Sequence, residues 1–172
     1  MHTRVHSRRD LGLKPLVDRF LESTREEDPR LFKVLSALDP EGVHNLAGVL
    51  GRFDRDDTGA LDAEHRLLAR RVLLRLRRPT TALLARLNRV LDYVDLNGNS
   101  LIEKRELQLF LDLCRGFERA ESDNDTLTAH ELGLMYAFLR AADRDHDGHL
   151  SPEERRHVLD CLRQGVLVHH AI

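Results

Sequence analysis

Residues 143–154 read Asp143-Arg144-Asp145-His146-Asp147-Gly148-His149-Leu150-Ser151-Pro152-Glu153-Glu154. Oxygen-bearing side chains stand at positions 1, 3, 5, 9 and 12 of these twelve: Asp143, Asp145, Asp147, Ser151 and Glu154. A hard divalent cation takes about six to eight oxygens at roughly 2.3–2.6 Å, and this spacing lets one short loop supply most of them. Gly148 falls sixth, where the backbone must turn sharply, and His149, seventh, offers only its backbone carbonyl, which leaves its imidazole incidental. Leu150, eighth, can leave the loop for the core. An acidic surface turn would share the composition but has no need of the spacing.

The loop is preceded by Met135, Phe138, Leu139 and Ala142, at offsets −8, −5, −4 and −1 from Asp143. Such spacing puts all four on one helix face. Identical offsets before Asp95 give Leu87, Val90, Leu91 and Val94, and before Asp54 they give Leu46, Val49, Leu50 and Phe53. The pattern is therefore an internal repeat. With the full match of residues 143–154 to D-x-[DN]-x-[DN]-G-x₅-E, it resembles the EF-hand family. The resemblance implies an all-α fold of helix–loop–helix repeats in two paired lobes, with a short antiparallel ladder between paired loops, and Ca²⁺ as the ion.

The second loop, 95–106, offers Asp95, Asn97, Asn99, Glu103 and Glu106 at ligand positions, with the Leu101 backbone carbonyl seventh and Ile102 turned inward. Ser100 replaces glycine at its sixth position, where a left-handed backbone costs roughly 1–2 kcal/mol. Three carboxylates stand at ligand positions here against four in 143–154, so the second loop is expected to bind more weakly. Its exiting stripe is Leu107, Phe110, Leu111 and Cys114.

The first loop, 54–65, begins with Asp54, Asp56, Thr58, Gly59 and Asp62 but ends on His65 where glutamate is needed. Glu64 is one residue early, and Leu68, Ala69 and Val72 follow it early as well, which reads as a deletion after Leu61. Asp54, Asp56, Thr58, Asp62 and Glu64 are thus weak candidates, because imidazole is a poor ligand for Ca²⁺. The stretch Ala120 to Glu131 superficially fits a loop, but the offsets before it give Asp112, Arg115, Gly116 and Arg119, which cannot pack a core. It reads as a linker with Thr128 capping the next helix. About two Ca²⁺ ions per chain are expected, with Mg²⁺ as a competitor.

The expected organisation is an N-terminal lobe over 11–78, a pair of hands over 80–164 and an apolar tail over 165–172. The loop starts at 95 and 143 lie 48 residues apart, and a linker over 116–127 accounts for the length. The first hand lacks a partner loop. A helical hairpin, Gly12 to Leu38, interrupted by the polar run Glu22 to Pro29, is placed to supply one.

At 172 residues, with 41% hydrophobic and 33% charged, the chain has the composition of a globular protein. A net charge of −2 points to neither nucleic acid nor an anionic surface. Two cysteines, Cys114 and Cys161, make no disulfide framework, and the absence of a signal-like core or a long apolar run leads to a cytoplasmic expectation. The segment 66–78 is dense in arginine among leucines, and two readings stay open: a basic helix that docks on a membrane or partner, or an exiting helix whose arginines are solvated or pair with neighbouring acidic loops. The tail, Gly165 to Ile172, would cover an apolar groove or dock in the core. No nucleophile elbow, phosphate loop or zinc signature occurs, so catalysis is not expected. The reading is a calcium buffer, or a sensor whose dedicated partner binds an apolar groove or the arginine helix. The alternative is a structural interaction module that binds through that helix.

Overall fold

The computed structural model describes residues 2–54, 60–96, 98–117 and 126–164, with side chains from residue 15 onward. Among them are eight helices: α1 (His2–Glu27), α2 (Pro29–Ser36), α3 (Pro40–Gly51), α4 (Ala63–Leu74), α5 (Thr81–Val94), α6 (Lys104–Phe117), α7 (Ala129–Ala142) and α8 (Pro152–Gln164). They form two compact units, Met1–Leu74 with Arg78–Ala85, and Arg75–Arg77 with Arg86–Ile172. The tail over 165–172 and most of the linker over 116–127 lie outside the described residues.

In the first unit α1 continues to Glu27, through the polar run that the sequence suggested was a loop. Glutamate and arginine are good helix formers, and Thr24 satisfies its buried hydroxyl on the Phe20 carbonyl at 2.7 Å. The break is the single residue Asp28. Pro29 disfavours helical backbone in the residue before it, and the Asp28 carboxylate accepts from Leu31 N–H to start α2. Asp39 starts α3 in the same way: its carboxylate accepts from Gly42 N–H at 2.7 Å and from the Thr81 hydroxyl at 2.8 Å. Glycine is required at 42, since an added Cβ would stand 2.5 Å from Thr81 Oγ1.

The arginine-rich segment 66–78 is not one helix. Helix α4 ends at Leu74, and the chain then makes a parallel bridge between Leu76 and Leu127. Arg77 N–H donates to the Leu127 carbonyl and Leu127 N–H to that of Arg75. Nor are its arginines all solvated. Arg70 is buried, and it pairs with Glu27 at 2.8 Å while Arg66 reaches the other oxygen at 3.4 Å.

This cluster gives the first unit a pH dependence. The hydrogen bond from Arg70, assisted by the charges of Arg70 and Arg66, holds the Glu27 carboxyl below its ordinary 4.5. Stabilisation from a depressed carboxyl is complete above its unfolded value and is lost as pH falls through its folded one. Replacing Glu27 with glutamine is expected to lower the melting temperature at neutral pH. The gap from the unchanged chain should narrow as pH falls below 4.5 in a series of thermal scans.

The second unit holds two helix–loop–helix hands, α5–α6 and α7–α8. All of Leu87, Val90, Leu91, Val94, Met135, Phe138, Leu139 and Ala142 are buried, as are Leu46, Val49, Leu50 and Phe53 in the first unit. The exiting helix α6 buries Leu107, Phe110, Leu111 and Cys114. Burial pushes the Cys114 thiol up to about 12, which makes it an inert core residue. Thr128 and Glu131 form a full capping box at the start of α7. Ile102 and Leu150 are both buried, yet among the described residues no bridge joins them, and the expected antiparallel ladder is not seen. Among the described residues no helix is long and apolar enough to cross a membrane.

Candidate metal centres

In all three loop regions the exiting helix begins at the tenth loop residue: Ala63, Lys104 and Pro152. Counted from Asp54, α4 thus starts in the register of the other exiting helices, with Glu64 at the eleventh position. Ala69, Val72 and Leu73 are buried in the ordinary register, with Arg70 standing among them where the other hands place apolar residues.

The loops 95–106 and 143–154 share one hydrogen-bond scheme. The first aspartate accepts from the sixth N–H: Asp95 Oδ2 from Ser100 at 2.8 Å, Asp143 Oδ2 from Gly148 at 2.9 Å. The fifth side chain accepts from the seventh N–H: Asn99 Oδ1 from Leu101 at 3.0 Å, Asp147 Oδ1 from His149 at 2.9 Å. Each final glutamate accepts from the second and ninth N–H groups. Glu106 takes those of Leu96 and Glu103 at 2.6 and 2.8 Å, and Glu154 those of Arg144 and Ser151 at 2.5 and 2.7 Å. Both glutamates are buried, as are Asp95 and Asp143. Ser151 Oγ also accepts from Glu154 N–H, capping α8. Asn97 lies outside the described residues.

Backbone strain falls equally on the two loops. Ser100 has φ 65° at its sixth position, but Gly98 has φ 69° at the fourth. In the other loop the glycine and non-glycine exchange places, with His146 at φ 55° fourth and Gly148 at φ 84° sixth. One non-glycine residue carries a left-handed conformation in each, so the cost of roughly 1–2 kcal/mol does not distinguish them. The sequence reading missed His146 because the fourth position is silent in the motif and shows itself only when both backbones are compared.

The electrostatics point to a cation. Carboxylate oxygens of Asp143, Asp145 and Asp147 all lie within 4.8 Å of one another. A hydrogen bond shared with Asp143 raises the Asp145 carboxyl above its ordinary value, and the Asp147 and Glu154 charges add to the effect. In the second loop, burial and the nearby Asp95 charge raise Glu106. Asp95 Oδ1 is buried without a hydrogen-bond partner among the described residues. Leaving a buried carboxylate oxygen unpaired is costly, and a divalent ion ligated there removes that cost. The residues present thus fit an oxygen-ligated cation in both loops.

The first loop is built differently. Asp62 Oδ1 accepts from both the N–H and the Nδ1 of His65 at 2.8 Å, so this carboxylate serves the start of α4, and the His65 N–H bond holds its pKa low. Glu64 is exposed in the first turn of α4, and Asp54 is buried at the end of the entering segment. Asp56 and Thr58 lie outside the described residues. His149 differs from its reading as well: its Nδ1 stands 3.0 Å from the Asp92 carbonyl at the end of α5. No sequence signal links residues so far apart.

Residues 135–158 match the family model for the EF hand, which covers the second half of α7, the loop 143–154 and the start of α8. No curated protein and no solved structure matches the chain.

Proposed function

We propose that the chain, whose residues 135–158 match the family model for the EF hand, binds Ca²⁺ through the loops 143–154 and 95–106. In the first of these, Asp143, Asp145, Asp147, Ser151, Glu154 and the His149 carbonyl would hold the ion. In the second, the set is Asp95, Asn97, Asn99, Glu103, Glu106 and the Leu101 carbonyl. The observation that carries the reading is a scheme common to both loops, in which the first aspartate accepts from the sixth N–H and the final glutamate from the second and ninth. Ca²⁺ would supply positive charge to a cluster of acidic oxygens, and the chain supplies their spacing. Mg²⁺ competes, because it too takes oxygen ligands, but its demand for near-octahedral geometry at shorter distances disfavours it in a loop of this size.

The chain acts as a buffer or as a sensor for one dedicated partner. With only two methionines it lacks the adaptable Met-rich surface of promiscuous sensors. Calorimetric titration with Ca²⁺, paired with an apolar dye, tests both levels. Saturable binding supports the calcium reading, and its absence refutes it. A Ca²⁺-dependent rise in dye fluorescence identifies a sensor, and an unchanged signal a buffer.

A further inference from the structure

Helix α5 ends at Val94, so the Asp92 carbonyl lies among the last four of the helix, whose partners come from outside it. Four residues on, the Leu96 N–H donates to Glu106 Oε2 at 2.6 Å, within the loop 95–106. Toward the Asp92 carbonyl, from the other loop, comes the imidazole of His149, with Nδ1 at 3.0 Å. A carbonyl only accepts, so Nδ1 must carry the proton. The last glutamate of one loop thus takes the N–H of that loop's second residue, and the ring of the seventh residue of the other loop reaches a carbonyl at the end of α5. His149 is also the residue whose own carbonyl would face the ion in 143–154, and Asp92 lies three residues before Asp95, the first residue of the other loop.

We propose that His149 is a positioning residue that couples the two ion sites, in the place where a main-chain ladder was expected. The inference rests on the calcium reading above. An ion that fixes the backbone at His149 also fixes its ring and the end of α5, so part of the ordering needed at Asp95 is complete before the second ion arrives. The link is one-sided, since Leu101, the seventh residue of 95–106, has no polar side chain to return it. The bond is exposed to solvent, so its effect is modest, roughly 2- to 10-fold between the successive binding constants.

The test uses the full chain in two measurements. In the Ca²⁺-free protein at alkaline pH, where the ring is neutral, nitrogen-15 NMR should show the His149 proton on Nδ1; a proton on Nε2 alone overturns the proposal. In Ca²⁺ titrations the second ion should bind more tightly than statistics require. His149→Phe should remove that excess, and His149→Gln, which keeps an N–H donor, should restore part of it. Cooperativity unchanged in His149→Phe, or absent from the unchanged chain, overturns the coupling alone. No Ca²⁺ binding by the unchanged chain overturns the calcium reading with it.

Discussion

Replacing Glu154 with glutamine is expected to weaken Ca²⁺ binding at 143–154 by at least the order of 100-fold while leaving the loop 95–106 able to bind. Substituting a group that merely supports a ligand already costs about 10- to 100-fold in metal affinity, and Glu154 stands at the position that contributes two oxygens. The change is also mild for the ion-free fold. Glu154 accepts from Arg144 and Ser151 N–H groups, and the glutamine oxygen can keep one of these bonds. Helix α8 keeps its Ser151 cap at 3.2 Å because that bond runs to the Glu154 main chain. Calorimetry on the variant should therefore show the loss of one site, with the melting temperature of the Ca²⁺-free protein little changed. Simultaneous loss of both sites would mean that the loops are not separate binding units.

Phe110→Ala should destabilise the second unit by about 3–5 kcal/mol, the usual range for truncating a buried phenylalanine. Phe110 is fully buried on α6, among Leu107, Leu111 and Cys114, four residues beyond Glu106 on the same helix. The cavity would open in the buried face of the helix that carries Glu106. Chemical denaturation should report a lower midpoint, and Ca²⁺ should recover part of the loss, since a ligand that binds only the folded state stabilises it by mass action. Phe117→Ala, at the last residue of the same helix, removes an aromatic contact with Phe138 5.9 Å away and should cost less because helix ends relax more easily.

The entering helices were legible because two constraints coincide in the sequence: a 3.6-residue apolar period, and a fixed offset to an aspartate. Leu87, Val90, Leu91 and Val94 satisfy both and are fully buried. The polar run Glu22 to Pro29 was misread over Glu22 to Glu27 because charged residues mark loops and solvent-facing helix surfaces alike, and Asp28 and Pro29 carried the boundary information. His65 suggested a deletion because side-chain identities shifted by one; the helix start at Ala63 shows that the backbone did not. Asp62 carried the signal for that start, as a capping residue three before His65. The pairing of Leu76 with Leu127 and the bond from His149 to Asp92 join residues 51 and 57 positions apart, and no local pattern encodes either.

The aspartate at the start and the glutamate at the end of both loops accept the same backbone hydrogen bonds, which makes the number of ions held the sharpest test of the central claim. Equilibrium dialysis of the full chain against radioactive Ca²⁺, at saturating concentration and with Mg²⁺ present, is expected to show about two ions per chain, and about one in Glu154→Gln. No bound Ca²⁺, or binding that Glu154→Gln and Glu106→Gln leave unchanged, would contradict it.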